Sequence, residues 1–346
     1  MATAYDYIER NKRRSIVLAA LFPLSFTLFA YLAVLFFYLL LGVLSYYHST
    51  NVLSFGSVWH QAFLSAHDAC AWILPFCFAV AAFWGWIALK QGDQIVLDTV
   101  PGVRVLTKWD AYDAYTLLEN LCLASGEPMP TLYVLPDESM NAFAVGMSPE
   151  RAGIVVSAGL LKRLDRVQLE AVLAHEMAHI RHYDTRLMAV LITCLAFFTF
   201  AGEFLFYGTE KENVPDNYWD RIGQRRPRFP LLMYVGAMLM FYGYFIAPSI
   251  RFALSRARES LADAEAARAT RHPRALARAL WRVSEDSRIE LLDGLDLIGA
   301  MCLERPQGKE TLFERLSGVG RSHPPVEERI RALNDMDGLF DGPARK

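Results

Sequence analysis

The chain has 346 residues, 53% of them hydrophobic and 21% charged, with a formal net charge of -2 and a mean hydropathy of +0.19. This excludes a disordered chain, which lacks the apolar surface to form a core, and a nucleic-acid binder that depends on a strong basic field. Length alone suggests about two domains, so the question is where the apolar residues lie.

They are concentrated in runs. Ser15 to Tyr47 carries no charge and is far longer than the roughly 20 residues that an α-helix needs to cross the hydrocarbon core. Lys12, Arg13 and Arg14 precede it as in a signal peptide, but a signal core is only about 7–15 residues long and ends at a small-residue cleavage site, so a transmembrane helix is expected. Ala69 to Leu89 forms a second uncharged run, with Trp72, Trp84 and Trp86 suited to an interfacial belt. A third run begins at Leu187 and is broken by Glu203, and a fourth extends from Phe229 to Ile250. Arg10, Lys12, Arg13 and Arg14 stand before the first run, and His48 to Asp68 has no Lys or Arg. The positive-inside rule therefore puts the N-terminus and everything after Lys90 in the cytoplasm. Lys211, Arg221, Arg225, Arg226 and Arg228 lie between the third and fourth runs, which leaves open whether that second hairpin spans fully or is re-entrant. The five cysteines are scattered and form no disulfide framework.

Two polar blocks remain. In the first, the spacing predicts a helix over 110–124, ended by Gly126, Pro128 and Pro130, and strands over 131–135, 141–145 and 153–157. Asp165 can cap a helix that runs through AHEMAHI, and with no Gly or Pro before Gly202 this helix is expected to continue into the third run. The second block opens with SRARESLADAEAARAT, an Ala- and Arg-rich helix whose arginines read mostly as facing water or headgroups.

The chemistry is concentrated in His175-Glu176-Met177-Ala178-His179, an H-E-x-x-H sequence on a helix. Residues four apart share a face, so both imidazoles can bind one ion while Glu176 is turned toward a water there. Zinc suits nitrogen and oxygen donors in a tetrahedral arrangement and needs a third protein ligand with a fourth position left open. Glu259 and Asp263, four apart on a helix, fit as that ligand and as a carboxylate orienting a zinc-bound imidazole. Asp184 is a further orienting candidate, and His182 competes with Glu259 as the third ligand.

IVVSAGLLKRLDRVQLEAVLAHEMAHIRHYD, the NAFAVG stretch at Asn141 to Gly146, SRARESLADAEA and RSHPPVEERIRAL occur in order. Together they resemble the HtpX-type integral-membrane zinc metallopeptidases, relatives of the type I CAAX prenyl endoproteases, over about residues 100–186 and 250–335. The resemblance implies one zinc ion per chain, Glu259 as its third ligand and Glu176 as general base. It also implies an α+β, mainly α fold: a gluzincin-like protease domain with a small β-sheet, joined to about four transmembrane or membrane-embedded helices. An edge strand beside the zinc helix, here Asn141, Ala142, Phe143 and Ala144, would pair with extended substrate, with a plain core role for Phe143 as the alternative. His323 is a candidate electrophile or a turn cap. The expected organisation is a tail and first hairpin over 1–90, protease segments over 91–186 and 251–346, and a second hairpin over 187–250. The function implied is cleavage of membrane or misfolded proteins at the cytoplasmic face of a bacterial inner membrane, in protein quality control. Protein substrates and the bilayer are the expected partners, with no nucleic acid. Prenyl-protein processing and a non-catalytic zinc-stabilised scaffold are the alternatives.

Overall fold

Strand alternation decides how the molecule is layered. The computed structural model describes residues 4–48, 55–207, 234–239, 241–242, 256–292, 296–299, 301–304 and 324–340. His323, the Lys211 to Arg228 segment and the side chain of Glu203 lie outside the described residues.

Four strands, β1 (Arg104–Val105), β2 (Thr131–Leu135), β3 (Ala142–Ser148) and β4 (Arg151–Ser157), form a mixed sheet in the order β1-β2-β4-β3. β2 and β4 are parallel; the other two pairings are antiparallel. The two-residue β1 has too little periodicity to be legible in the sequence. Successive side chains of a strand point to opposite faces, and here both faces are buried. Leu132, Val134, Ala142, Ala144, Ile154 and Val156 join one core with the helices α3 (Tyr112–Ser125) and α5 (Arg166–Arg181). Leu135, Phe143, Val145, Met147 and Val155 join a second core with the long helices α1 (Ala4–His48), α2 (Phe55–Thr99) and α6 (Asp184–Tyr207). A short α4 (Ala158–Arg163) links β4 to α5. The first core is completed by α7 (Arg256–Thr270), α8 (Pro273–Glu285) and α9 (Val326–Phe340).

α1 and α2 have 45 residues each, about 67 Å at about 1.5 Å per residue, and both are long and apolar enough to cross a membrane. α2 begins at Phe55, so most of the stretch from His48 to Asp68, between the first two uncharged runs, is helix. Small residues bring these helices together, as is usual where hydrophobicity cannot drive association. Pro23 lacks the N–H that would bond the Ala19 carbonyl, and Gly85 of α2 lies against that oxygen, where a Cβ would come to 3.0 Å. Gly92 likewise faces the Ala189 backbone of α6, and Trp84 Nε1 donates to the Thr193 carbonyl at 2.9 Å. α6 is buried almost throughout from Leu187 to Phe198.

The expected continuous helix through the H-E-x-x-H motif is interrupted. α5 ends at Arg181 with His182 as its C-cap, and α6 starts at Asp184. Between them Tyr183 takes a left-handed φ of 59°, uncommon outside glycine. Tertiary contacts hold this conformation: His182 Nε2 lies 3.2 Å from Glu265 Oε1, and Lys12 Nζ sits 4.1 Å above the Tyr183 ring.

Replacing Gly85 with Ile should destabilise the helix pair by about 1–3 kcal/mol through overpacking. Thermal unfolding in detergent measures this, and an unchanged midpoint would contradict the close approach.

Candidate metal centre

Asp165 starts α5 with a capping box: its side chain accepts from the Gln168 N–H while the Gln168 side chain accepts from the Asp165 N–H, satisfying two of the donors a helix start leaves open. Two and a half turns on, His175 and Glu176 are each 1% exposed. The Nε2 atoms of His175 and His179 are 3.1 Å apart. From α7, Glu259 brings Oε2 to 3.8 Å from the first and Oε1 to 3.7 Å from the second, and the three ligand-type atoms lie within 4.8 Å of one another.

Each imidazole is held from behind. His175 Nδ1 is 3.0 Å from Asp263 Oδ1, and His179 Nδ1 is 2.9 Å from Asp184 Oδ2. With a proton on each Nδ1, both Nε2 lone pairs point into one small space. Nitrogens about 2.0–2.1 Å from a tetrahedral zinc are about 3.3 Å apart, close to the spacing found here. Charge points the same way. Glu176, Asp184, Glu259 and Asp263 are buried around this space together with the guanidiniums of Arg258 and Arg329. Buried charge is tolerated when it is paired or binds a metal, and a donor set of two imidazoles and a carboxylate among these buried acids fits a divalent cation.

The groups differ in acidity because their surroundings differ. Burial, with the Glu259 charge adding to it, pushes the Glu176 carboxyl up to about 7, against the pull of His179 and of a hydrogen bond from the Ala144 backbone. Burial opposes a charged His179, but Glu259, Asp184 and Glu176 outweigh it and raise its pKa to about 9. Burial lowers that of His175. Burial would raise Asp263, yet Arg329 holds it down at about 2.

Arg329 and Arg258 are the residues that sequence reasoning missed. Arg329 Nε and Nη2 bind both oxygens of Asp263 at 2.8 and 2.7 Å, and Nη1 donates to the Leu303 carbonyl at 3.0 Å and lies 3.8 Å from Glu259 Oε2. A signal was available: Val326, Ile330 and Leu333 mark the inward stripe of α9, and Arg329 falls on it. Arg258 is 4% exposed and lies 3.1 Å from Asp184 Oδ1, an exception in a helix whose arginines read mostly as solvated. His182 is buried beside Glu265, outside the three-atom cluster.

β3 is the sheet edge beside this space. Ser157 N–H donates to the Asn141 carbonyl, so the alternating ladder turns the main-chain groups of Ala142 and Ala144 away from β4. The Ala144 N–H reaches Glu176, and the Ala142 carbonyl accepts the Leu303 N–H at 2.7 Å. A pocket lined by Ala144, His175, Glu176, His179, Glu259 and Leu303 opens here. The side chains of Asn141, Ala142 and Phe143 are at most 1% exposed. Phe143 belongs to the core on the other face of the sheet, and the Asn141 amide donates to the Ser287 and Glu304 carbonyls. Along this edge the Ala142 N–H bonds the Asn141 side chain, its carbonyl bonds Leu303 and the Ala144 N–H bonds Glu176, so the outward main chain here is buried and largely paired within the protein.

The profile of peptidase family M48 matches residues 114–337. A protease HtpX homolog from Bacteroides fragilis is 34% identical over 333 residues, covering 95% of this chain and 97% of its own. The chain belongs to peptidase family M48. A second protease HtpX homolog, from Dictyoglomus thermophilum, is 31% identical to this M48 chain over 338 residues, 96% of this chain and 95% of the relative. The crystal structure of Ste24p from S. mikatae superimposes over 75% of this chain and 64% of that one, at 19% identity and a TM-score of 0.37, too loosely to carry its features over. This M48 member is a membrane-bound metallopeptidase.

Arg329→Ala leaves Asp263 buried without its cation and should cost about 3–5 kcal/mol, measured by chemical unfolding; a loss below about 1 kcal/mol would contradict the buried pair. Metal must displace the proton that His179 keeps up to about pH 9, so affinity falls as pH falls. The expected loss between pH 8 and 7 is about tenfold, steepening below 7 as Glu176 also takes a proton. Chelator competition measures this, and a pH-independent affinity would contradict it.

Proposed function

We propose that this M48 peptidase holds one zinc ion through His175, His179 and Glu259, and hydrolyses peptide bonds of membrane or misfolded proteins at the cytoplasmic face of a bacterial inner membrane. The observation that carries this reading is the convergence of two imidazole Nε2 atoms and the Glu259 carboxylate on one space, with a carboxylate behind each ring. Asp263 and Asp184 orient the rings and raise their basicity as ligands. Bound there, zinc supplies Lewis acidity toward the scissile carbonyl and toward water.

Glu176 is the general base. Its carboxylate is buried at the pocket beside His175 and His179, where a general base accepts a proton and gives it up again. It takes that proton from the attacking water and delivers it to the leaving nitrogen, and the Ala144 N–H keeps the carboxylate aimed at the pocket. In the gluzincin-like arrangement substrate binds as an added strand along Ala142 to Ala144, which here requires it to displace the Leu303 N–H from the Ala142 carbonyl. Main-chain pairing gives affinity with little demand on sequence, which suits quality control.

Two further observations support the location. Arg10, Lys12, Arg13 and Arg14 lie at the end of α1 that touches Asp184, which by the positive-inside rule supports a metal centre on the cytoplasmic side. Tyr234 Oη donates to the Ala33 carbonyl and Tyr242 Oη to Ser25 Oγ. These bonds support a second hairpin over 187–250 embedded beside the first over 1–90, so that about four helices lie in the membrane and the protease segments 91–186 and 251–346 close around them.

Glu176→Gln should retain zinc and lose peptidase activity by at least about 10²-fold. Zinc content and cleavage of an unfolded membrane protein by the purified pair test this; wild-type rates in the variant would remove Glu176 as the base. A faster rate on a soluble substrate than on a membrane-embedded one would count against the substrate class.

A further inference from the structure

Asn11 stands in the basic stretch Arg10-Asn11-Lys12-Arg13-Arg14, yet it is 1% exposed. Its Nδ2 donates to Asp184 Oδ1 at 2.7 Å and to the His182 carbonyl at 2.9 Å. Both amide protons are used, one on each side of left-handed Tyr183. Lys12 covers the ring of that same residue, and Ser15 Oγ bonds the Asn11 carbonyl at 2.8 Å. The N-terminal end of the first membrane helix thus grips the turn between α5 and α6. The other oxygen of Asp184 receives the Nδ1 proton of His179.

We propose that Asn11 is a positioning residue for the metal centre: through Asp184 it fixes the imidazole of His179, so the membrane helix α1 is part of the apparatus that holds the ion. The inference rests on the zinc reading given above. Its chemistry distinguishes Asn11 from Arg258, which also touches Asp184 Oδ1. Arg258 neutralises the carboxylate. Asn11 orients it without adding charge, leaving Asp184 able to polarise the imidazole. A carboxylate behind a ligating histidine fixes the tautomer and the ring plane, and losing such support weakens metal binding by about 10–100-fold. Removing the group that aims the carboxylate acts on the same quantity.

The experiment is zinc competition with a chelator, using the full-length protein in detergent. Asn11→Ala should raise the zinc dissociation constant about tenfold or more. Trp84→Phe removes another hydrogen bond that ties the helix pair to α6 without touching Asp184, and should leave zinc affinity unchanged. A conservative variant supplies the rescue: Asn11→Gln keeps an amide that can donate to Asp184 and to the His182 carbonyl, so it should bind zinc more tightly than Asn11→Ala. If wild type takes up no zinc, the zinc reading itself fails. If wild type binds zinc and Asn11→Ala binds it equally well, or weakens no more than Trp84→Phe does, the positioning role is overturned. Should Asn11→Ala not fold, Asn11→Ser, whose hydroxyl falls short of Asp184, decides: zinc affinity equal to wild type overturns the role.

Discussion

Two imidazole nitrogens held 3.1 Å apart, inside a shell of buried carboxylates, are the constraint on which the rest of the structure depends. Neither feature is favourable by itself: opposed lone pairs repel, and unpaired buried carboxylates are costly. The protein meets this by bringing counter-charge from widely separated parts of the chain. Arg258 comes from α7 and Arg329 from α9, and a proton or a divalent cation between the rings completes the balance. Each participant fixes another, so Arg329 holds Asp263, which holds His175, and Arg258 with Asn11 holds Asp184, which holds His179. Interacting buried groups of this kind respond together, so single substitutions here will not give additive effects.

The small sheet makes this arrangement possible in a membrane protein. An antiparallel or mixed sheet can leave one face to water, but this one buries both. One face carries the metal helix and its packing partners, and the other rests on α1, α2 and α6. Phe143 and Ala144, neighbours in sequence, therefore serve different halves of the molecule: one seals the floor against the membrane helices, and the other lines the pocket. The floor is stiffened by Asp93 of α2, whose two carboxylate oxygens both accept from Nη2 of Arg151 at the β3–β4 turn, at 3.0 and 3.1 Å.

Much of this was legible in the sequence because local signals agreed with the global result. Thr131 to Leu135 alternates like the strand it forms, Asp165 caps the helix it precedes, and the spacing of His175, His179, Glu259 and Asp263 puts two pairs of residues on two helix faces that meet. The failures occurred where tertiary contacts decide. Nothing in Arg181-His182-Tyr183-Asp184 breaks a helix by propensity, since the turn is imposed by Glu265, Lys12 and Asn11 from other elements. Arg258 and Asn11 were hidden by composition: a polar residue among many exposed polar residues gives no sign that it alone is buried. Arg329 interrupts an apolar stripe, a signal that becomes readable only when the partner carboxylate is known.

The length of α1 has a mechanical consequence. Its uncharged stretch exceeds the roughly 30 Å of a hydrocarbon core, and excess length is accommodated by tilt. In most anchored enzymes a flexible linker would absorb that tilt before it reached the catalytic unit. Here Asn11 and Ser15 belong to the same unbroken helix as the span, and Asn11 is bonded directly to Asp184. A change of tilt in α1 would therefore pass, with no linker between, to the turn beside His179.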